Sequence, residues 1–138
     1  MNAANAAAEF RRAAEAGDAD AMESLLAENV VFRSPAVHAP YEGQTATMVL
    51  LRSVVEVFED FHYTRSYAEE GHELGGHALV FEARVDGRDI EGVDLIRVDA
   101  DGLIDDLRVL VRPMSGLNAL VARMGEVIPK VMVQMGLG

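Results

Sequence analysis

"HALVFEARVDGRDIEGVDLIRVDADGLIDDLRVLVR", residues 77–112, is three runs of alternating apolar and polar residues broken by Asp86-Gly87 and by Asp99 to Gly102. Alternation with period two marks half-buried strands, and Asp-Gly between two such runs marks a hairpin. A two-residue turn at Asp86-Gly87 sets Phe81 opposite Gly92, Leu79 opposite Asp94 and Arg84 opposite Asp89. A turn of residues 99–102 sets Asp94 opposite Leu107. One face then collects Leu79, Phe81, Ala83, Val85, Ile90, Gly92, Ile96, Val109 and Val111, with Asp94 as a carboxylate inside an apolar row. Every arginine of these strands falls on the other face, so no strand neighbour neutralises Asp94. Burial raises its pKa and favours a neutral acid able to donate a hydrogen bond. A one-residue bulge or a longer turn would instead flip the register and set Asp94 beside Arg108.

Outward from this core, residues 61–73 read as a further strand joined through Gly75-Gly76. A two-residue turn there puts Tyr63, Arg65, Tyr67 and Glu69 on the charged outer face. Upstream, the Ala- and Glu-rich segment Ala3 to Ala16 reads as a helix closed by Gly17, and a second helix capped by Asp18 or Asp20 runs to about Ala27. "NVVFRSP" is a strand stopped by Pro35, "SPAVHAPYEG" a loop, and Gln44 to Asp60 a third helix, with Met48, Leu51, Val55 and Phe58 at spacings of three and four. After Pro113, a helix capped by Ser115 carries one apolar stripe from Leu117 to Met135, with a kink or restart expected at Pro129. The predicted class is α+β, one domain spanning residues 1–138, with a curved antiparallel sheet wrapped by N-terminal helices and a C-terminal helix.

Composition narrows the function. The chain has 138 residues, 12 Lys and Arg against 23 Asp and Glu, a formal charge of -11 and no cysteine. Nucleic acid and anionic membranes are poor partners for such a charge, and thiolate chemistry is excluded by inventory. No stretch approaches a membrane span and no basic start precedes an apolar run, so a cytoplasmic protein is expected. His72, His77 and Glu70 share a hairpin face, but their spacing matches no compact metal motif.

Three segments, "AEAGDADAMESLLAENVVFRSP", "YEGQTATMVLLRSVVEVF" and "VDLIRVDADGLIDDLRVLVRP", together resemble the nuclear transport factor 2-like superfamily. That superfamily includes ketosteroid isomerases, SnoaL-like polyketide cyclases, limonene epoxide hydrolases, scytalone dehydratases and non-catalytic members. The resemblance implies a cone-shaped sheet around a deep apolar cavity. It also implies that Asp94 stands where a ketosteroid isomerase keeps a neutral carboxylic acid. The isomerase base position is occupied by Ser34 and the isomerase tyrosine of helix one by Phe10, which argues against steroid-type isomerisation. Arg84-Val85-Asp86 imitates the Arg-x-Asp of limonene epoxide hydrolases, but Asp86 sits in a turn and Val109 stands where a last-strand carboxylate is needed.

The candidate chemistry is therefore an acid, Asp94, and a base, His38, from the loop at the cavity mouth. Phe10, Phe32, Ser34, Tyr41, Leu79, Phe81, Ile96, Leu107 and Val109 are the expected pocket residues. The expected ligand is a small, apolar, carbonyl-bearing molecule, with cyclisation, isomerisation or dehydration as the reaction and no cofactor. A non-catalytic binding or accessory protein is the alternative. The apolar stripe of the last helix and Val80, Val93 and Leu95 on the outer sheet face lead to the expectation of a homodimer.

Overall fold

Gly17, at φ +67°, adopts the left-handed conformation that ends helix α1 (Ala3–Ala16), where a side chain would be strained. The chain turns at once into α2 (Ala19–Ser24), whose N-cap Asp18 accepts a hydrogen bond from the Ala21 amide at 3.1 Å. This second helix is shorter than the sequence suggests, because Leu26 already enters strand β1 (Leu26–Arg33). A two-residue strand, β2 (Tyr41–Glu42), lies within the loop that follows, and α3 (Gln44–Val57) stops three residues before the expected Asp60. The computed structural model describes residues 3–71 and 75–138.

Strands β3 (Glu59–Ala68), β4 (His77–Val85), β5 (Arg88–Val98) and β6 (Ile104–Arg112) form the meander, and α4 (Met114–Gln134) closes the chain. The sheet has six strands in the order β2-β1-β6-β5-β4-β3, antiparallel except where β1 lies parallel to β6. Two edges stay open, at β2 and β3. Helix α4 runs through Pro129 without the expected restart, and its N-cap position is Pro113 rather than Ser115. Among the described residues, no helix is long and apolar enough to cross a membrane.

The β4–β5 register matches the sequence reading: Leu79 pairs with Asp94, Phe81 with Gly92 and Arg84 with Asp89. Asp86 and Gly87, at φ 50° and 76°, both take the left-handed conformation that a tight two-residue hairpin demands. The next pairing differs, since Asp94 faces Val109 and Ile96 faces Leu107. The Asp99 carboxylate lengthens the turn by accepting from the amides of Asp101 and Leu103 at 2.9 and 3.0 Å, and a bulge at Arg97/Val98 adds a second step. A shift of two preserves the face, so Asp94 stays inside.

Strand β3 departs further. It ends at Ala68, and the connection to β4 is much longer than the two residues expected, yet Arg65 and Tyr67 still face outward opposite Val80 and Ala78. Between Tyr63 and Arg65 the ladder slips by one residue, so that Tyr63 pairs with Phe81 and turns its ring into the core, where it is 4% exposed. The outward assignment of Tyr63 is thereby overturned by a bulge at Thr64.

The core lies between the inner sheet face and the helices. Gly92 is needed there because a Cβ at this position would meet Phe81 Cζ at 2.3 Å and the Leu110 carbonyl oxygen at 2.7 Å. The Phe81 ring instead lies over the glycine and joins Phe58, Phe61 and Tyr63 in an aromatic cluster.

Candidate functional site

Among the described residues, Thr47, Ser53 and Asp94 are the buried polar side chains. The two hydroxyls donate to carbonyls one helical turn back, Gly43 and Val49. Asp94 has no such local partner. Its Oδ2 accepts a hydrogen bond from the Tyr63 hydroxyl at 2.6 Å, across two strands and 31 residues of sequence. Tyr63 is the carboxyl's one hydrogen-bond partner among the described residues.

Burial pushes the Asp94 pKa up to about 7, against a smaller lowering by the Tyr63 hydrogen bond. Both forms of the acid are thus accessible near neutrality. Burial also holds the Tyr63 phenol well above the usual tyrosine range, with the Asp94 charge adding to the effect. The pair therefore carries one negative charge at most in ordinary buffers. The Tyr63 ring is held edge-on by Phe61 and Phe81, with centroids 5.0 and 6.2 Å away.

Asp94 and Tyr63 line a solvent-open cavity of about 600 Å³ bounded by the helices and the inner sheet face. Phe10, Phe32, Ser34, Tyr41, Leu107 and Val109 line it as the sequence suggests. Leu79, Phe81 and Ile96 are not among its lining residues and belong to the packed core. His38 is not among the lining residues. It is exposed, and the loop contributes Ser34, Pro35, Ala36 and Val37 to the cavity instead. Pro35 and Pro40 flank this stretch, and its cavity-lining part ends at Val37.

Sequence reasoning missed Tyr63 and two acids. Glu15, from the end of α1, and Asp60, from the start of β3, also line the cavity, and among the described residues no Arg, Lys or His does. Among the described residues, no three His, Asp or Glu side chains gather as they would around a metal ion. His72, one of the three residues drawn together at the hairpin tip, lies outside the described residues. The outward Arg84 pairs with Asp89 at 3.1 Å, in keeping with a turn rather than an epoxide-opening site.

Residues 7–107 match the family model for the SnoaL-like domain. Among solved structures, the chain is similar to a steroid delta-isomerase from Pseudomonas aeruginosa, with 41% identity, a TM-score of 0.86 and coverage of 95% of this chain and 94% of that one. It shares its fold with an NTF2-like protein of unknown function from Cytophaga hutchinsonii at 22% identity, a TM-score of 0.63 and coverage of 83% and 94%. An epoxide hydrolase/cyclase-like enzyme of pyran ring formation in salinomycin has the same fold at 22% identity, a TM-score of 0.66 and coverage of 82% and 92%. No curated protein matches the chain.

Proposed function

This chain belongs to the SnoaL-like domain family, and on that footing we propose that its cavity binds a small, uncharged, mostly apolar molecule bearing a carbonyl group. Asp94 is the acid of this reading, donating a hydrogen bond to the carbonyl oxygen while Tyr63 holds its other oxygen. The reaction type is proton transfer beside that carbonyl, as in cyclisation, isomerisation or dehydration. The observation that carries the proposal is a buried carboxyl, hydrogen-bonded to one phenol, at the wall of a cavity that no Arg, Lys or His among the described residues lines. A cation-free wall disfavours anionic ligands, and a neutral acid stabilises negative charge as it develops on a carbonyl oxygen.

The steroid delta-isomerase relative supports the reaction type, whereas Ser34 and Phe10 at the positions of the base and the tyrosine argue against the steroid reaction itself. A second reading follows from the same residues: with His38 outside the wall and Ser34 unable to act as a base near neutrality, the protein is a binder in which Asp94 anchors a ligand. Titration of wild type and Asp94→Asn with 2-naphthol and 4-androstene-3,17-dione, followed by NMR, tests occupancy. Saturable shifts at Asp94, Tyr63 and Val109 in wild type are the expected result, and shifts confined to surface residues would overturn the cavity reading. A homodimer in the cytoplasm belongs to the same proposal. Leu110, 50% exposed on the outer sheet face, and the partly exposed Val80, Val93 and Leu95 support the second subunit.

A further inference from the structure

Tyr63 sits on β3, an edge strand of the sheet, and the backbone groups it turns away from β4 need partners that no strand supplies. Helix α1 supplies them with two side chains one turn apart. The Tyr63 amide donates to Glu15 Oε2 at 2.9 Å, and Arg11 Nη2 donates to the Tyr63 carbonyl at 3.3 Å. Arg11 and Glu15 also pair with each other, Nε to Oε1 at 3.6 Å, and the guanidinium stands 5.9 Å from the Tyr63 ring centroid. The two side chains thus take the place of an adjacent strand at this one residue. The grip falls beside the bulge at Thr64, where the ladder has slipped and the direction of the Tyr63 side chain is least fixed by its strand neighbours.

We propose that Arg11 and Glu15 are positioning residues, whose grip on the backbone of Tyr63 fixes its phenol on Asp94. The inference rests on the reading of Asp94 as the working acid, but it concerns the free protein and is tested without a ligand. Two roles for Glu15 make opposite demands. If Glu15 acts only as a negative charge near the cavity, its removal makes Asp94 easier to ionise. If it acts by holding Tyr63, its removal frees the phenol, and Asp94 loses the hydrogen bond that favours its charged form.

The experiment is a carbon-detected carboxyl titration of Asp94 in the full chain, in wild type, Tyr63→Phe, Glu15→Ala and Glu15→Gln, with amide spectra reporting the fold. Positioning predicts that Glu15→Ala raises the Asp94 midpoint toward that of Tyr63→Phe. Glu15→Gln, which keeps an acceptor oxygen and removes the charge, then retains the wild-type midpoint or falls below it. An unchanged or lowered midpoint in folded Glu15→Ala overturns the proposal, as does a rise in Glu15→Gln equal to that in Glu15→Ala. Should Glu15→Ala fail to fold, Glu15→Asp, which keeps the charge and shortens the reach to the Tyr63 amide, is read instead, with a raised midpoint expected and an unchanged one contradictory. If the cavity binds nothing, these midpoints are unaffected, so failure of the functional reading is told apart from failure of this one.

Discussion

The Tyr63 hydroxyl lies 2.6 Å from Oδ2 of Asp94, and each side chain is the other's means of being buried. A lone carboxyl among Leu107, Val109 and Ile96 would be left without a hydrogen-bond partner in an apolar setting, which is strongly unfavourable. A lone phenol turned inward from an edge strand would be equally misplaced. Together they form a polar island that faces the cavity.

Removal of the Tyr63 hydroxyl alone should therefore cost stability while leaving the shape of the core intact. Tyr63→Phe keeps the ring against Phe61 and Phe81, and the loss is that of one buried hydrogen bond to an acid, about 1–3 kcal/mol. Denaturant unfolding at pH 6 checks the value. The same variant should show a raised Asp94 midpoint, because the hydrogen bond lowers it in wild type.

Stability should also depend on pH through Asp94 with a definite sign. Its folded pKa, about 7, lies above the ordinary aspartate value of 3.8, so between these values the folded state holds a proton that the unfolded state has released. The contribution is fully present below about pH 4, declines as pH rises and is gone above about pH 7. Three units correspond to about 4 kcal/mol at most. Asp94→Asn cannot titrate, so the stability of wild type relative to this variant should fall by up to that amount from pH 4 to pH 8, as read from parallel urea titrations.

Gly92→Ala should destabilise the protein by about 1–3 kcal/mol, the usual cost of forcing extra volume into a packed core. The added Cβ meets both a ring atom of Phe81 and a backbone oxygen of Leu110, and the backbone cannot swing aside as a side chain can. Thermal unfolding checks it, with Gly87→Asn as a comparison at a turn glycine whose Cβ would have open space.

His38→Ala should change little. The side chain is exposed and outside the cavity wall, so stability should stay within about 0.5 kcal/mol and the affinity for any cavity ligand should match wild type. A marked loss of affinity would return His38 to the site.

The inward face of β5 was legible in the sequence because Asp86-Gly87 encodes its turn in two residues, and the resulting register carried Asp94 inside. The turn after β5 was miscounted, yet the Asp99 cap and the bulge beside it added an even number of steps, and an even error leaves the face unchanged. Tyr63 was illegible for the opposite reason. Its orientation depends on a single-residue bulge at Thr64, for which "YTRSY" contains neither glycine nor proline as a signal. Its stabilising partners lie far away on α1, and only tertiary packing brings Arg11 and Glu15 to that edge. The place of His38 was not legible either, because a loop with two prolines fixes local backbone angles without revealing which of its side chains turn inward.

The measurement that bears most directly on the account is the titration of the Asp94 carboxyl in the wild-type protein, with Asp94→Asn as the assignment control. A midpoint near 7 is the predicted result and identifies a buried acid that is neutral below neutrality and faces the cavity. A midpoint at or below the roughly 3.9 of a free aspartate would mean a solvated or cation-paired carboxylate, and would contradict both the site and the function proposed for it.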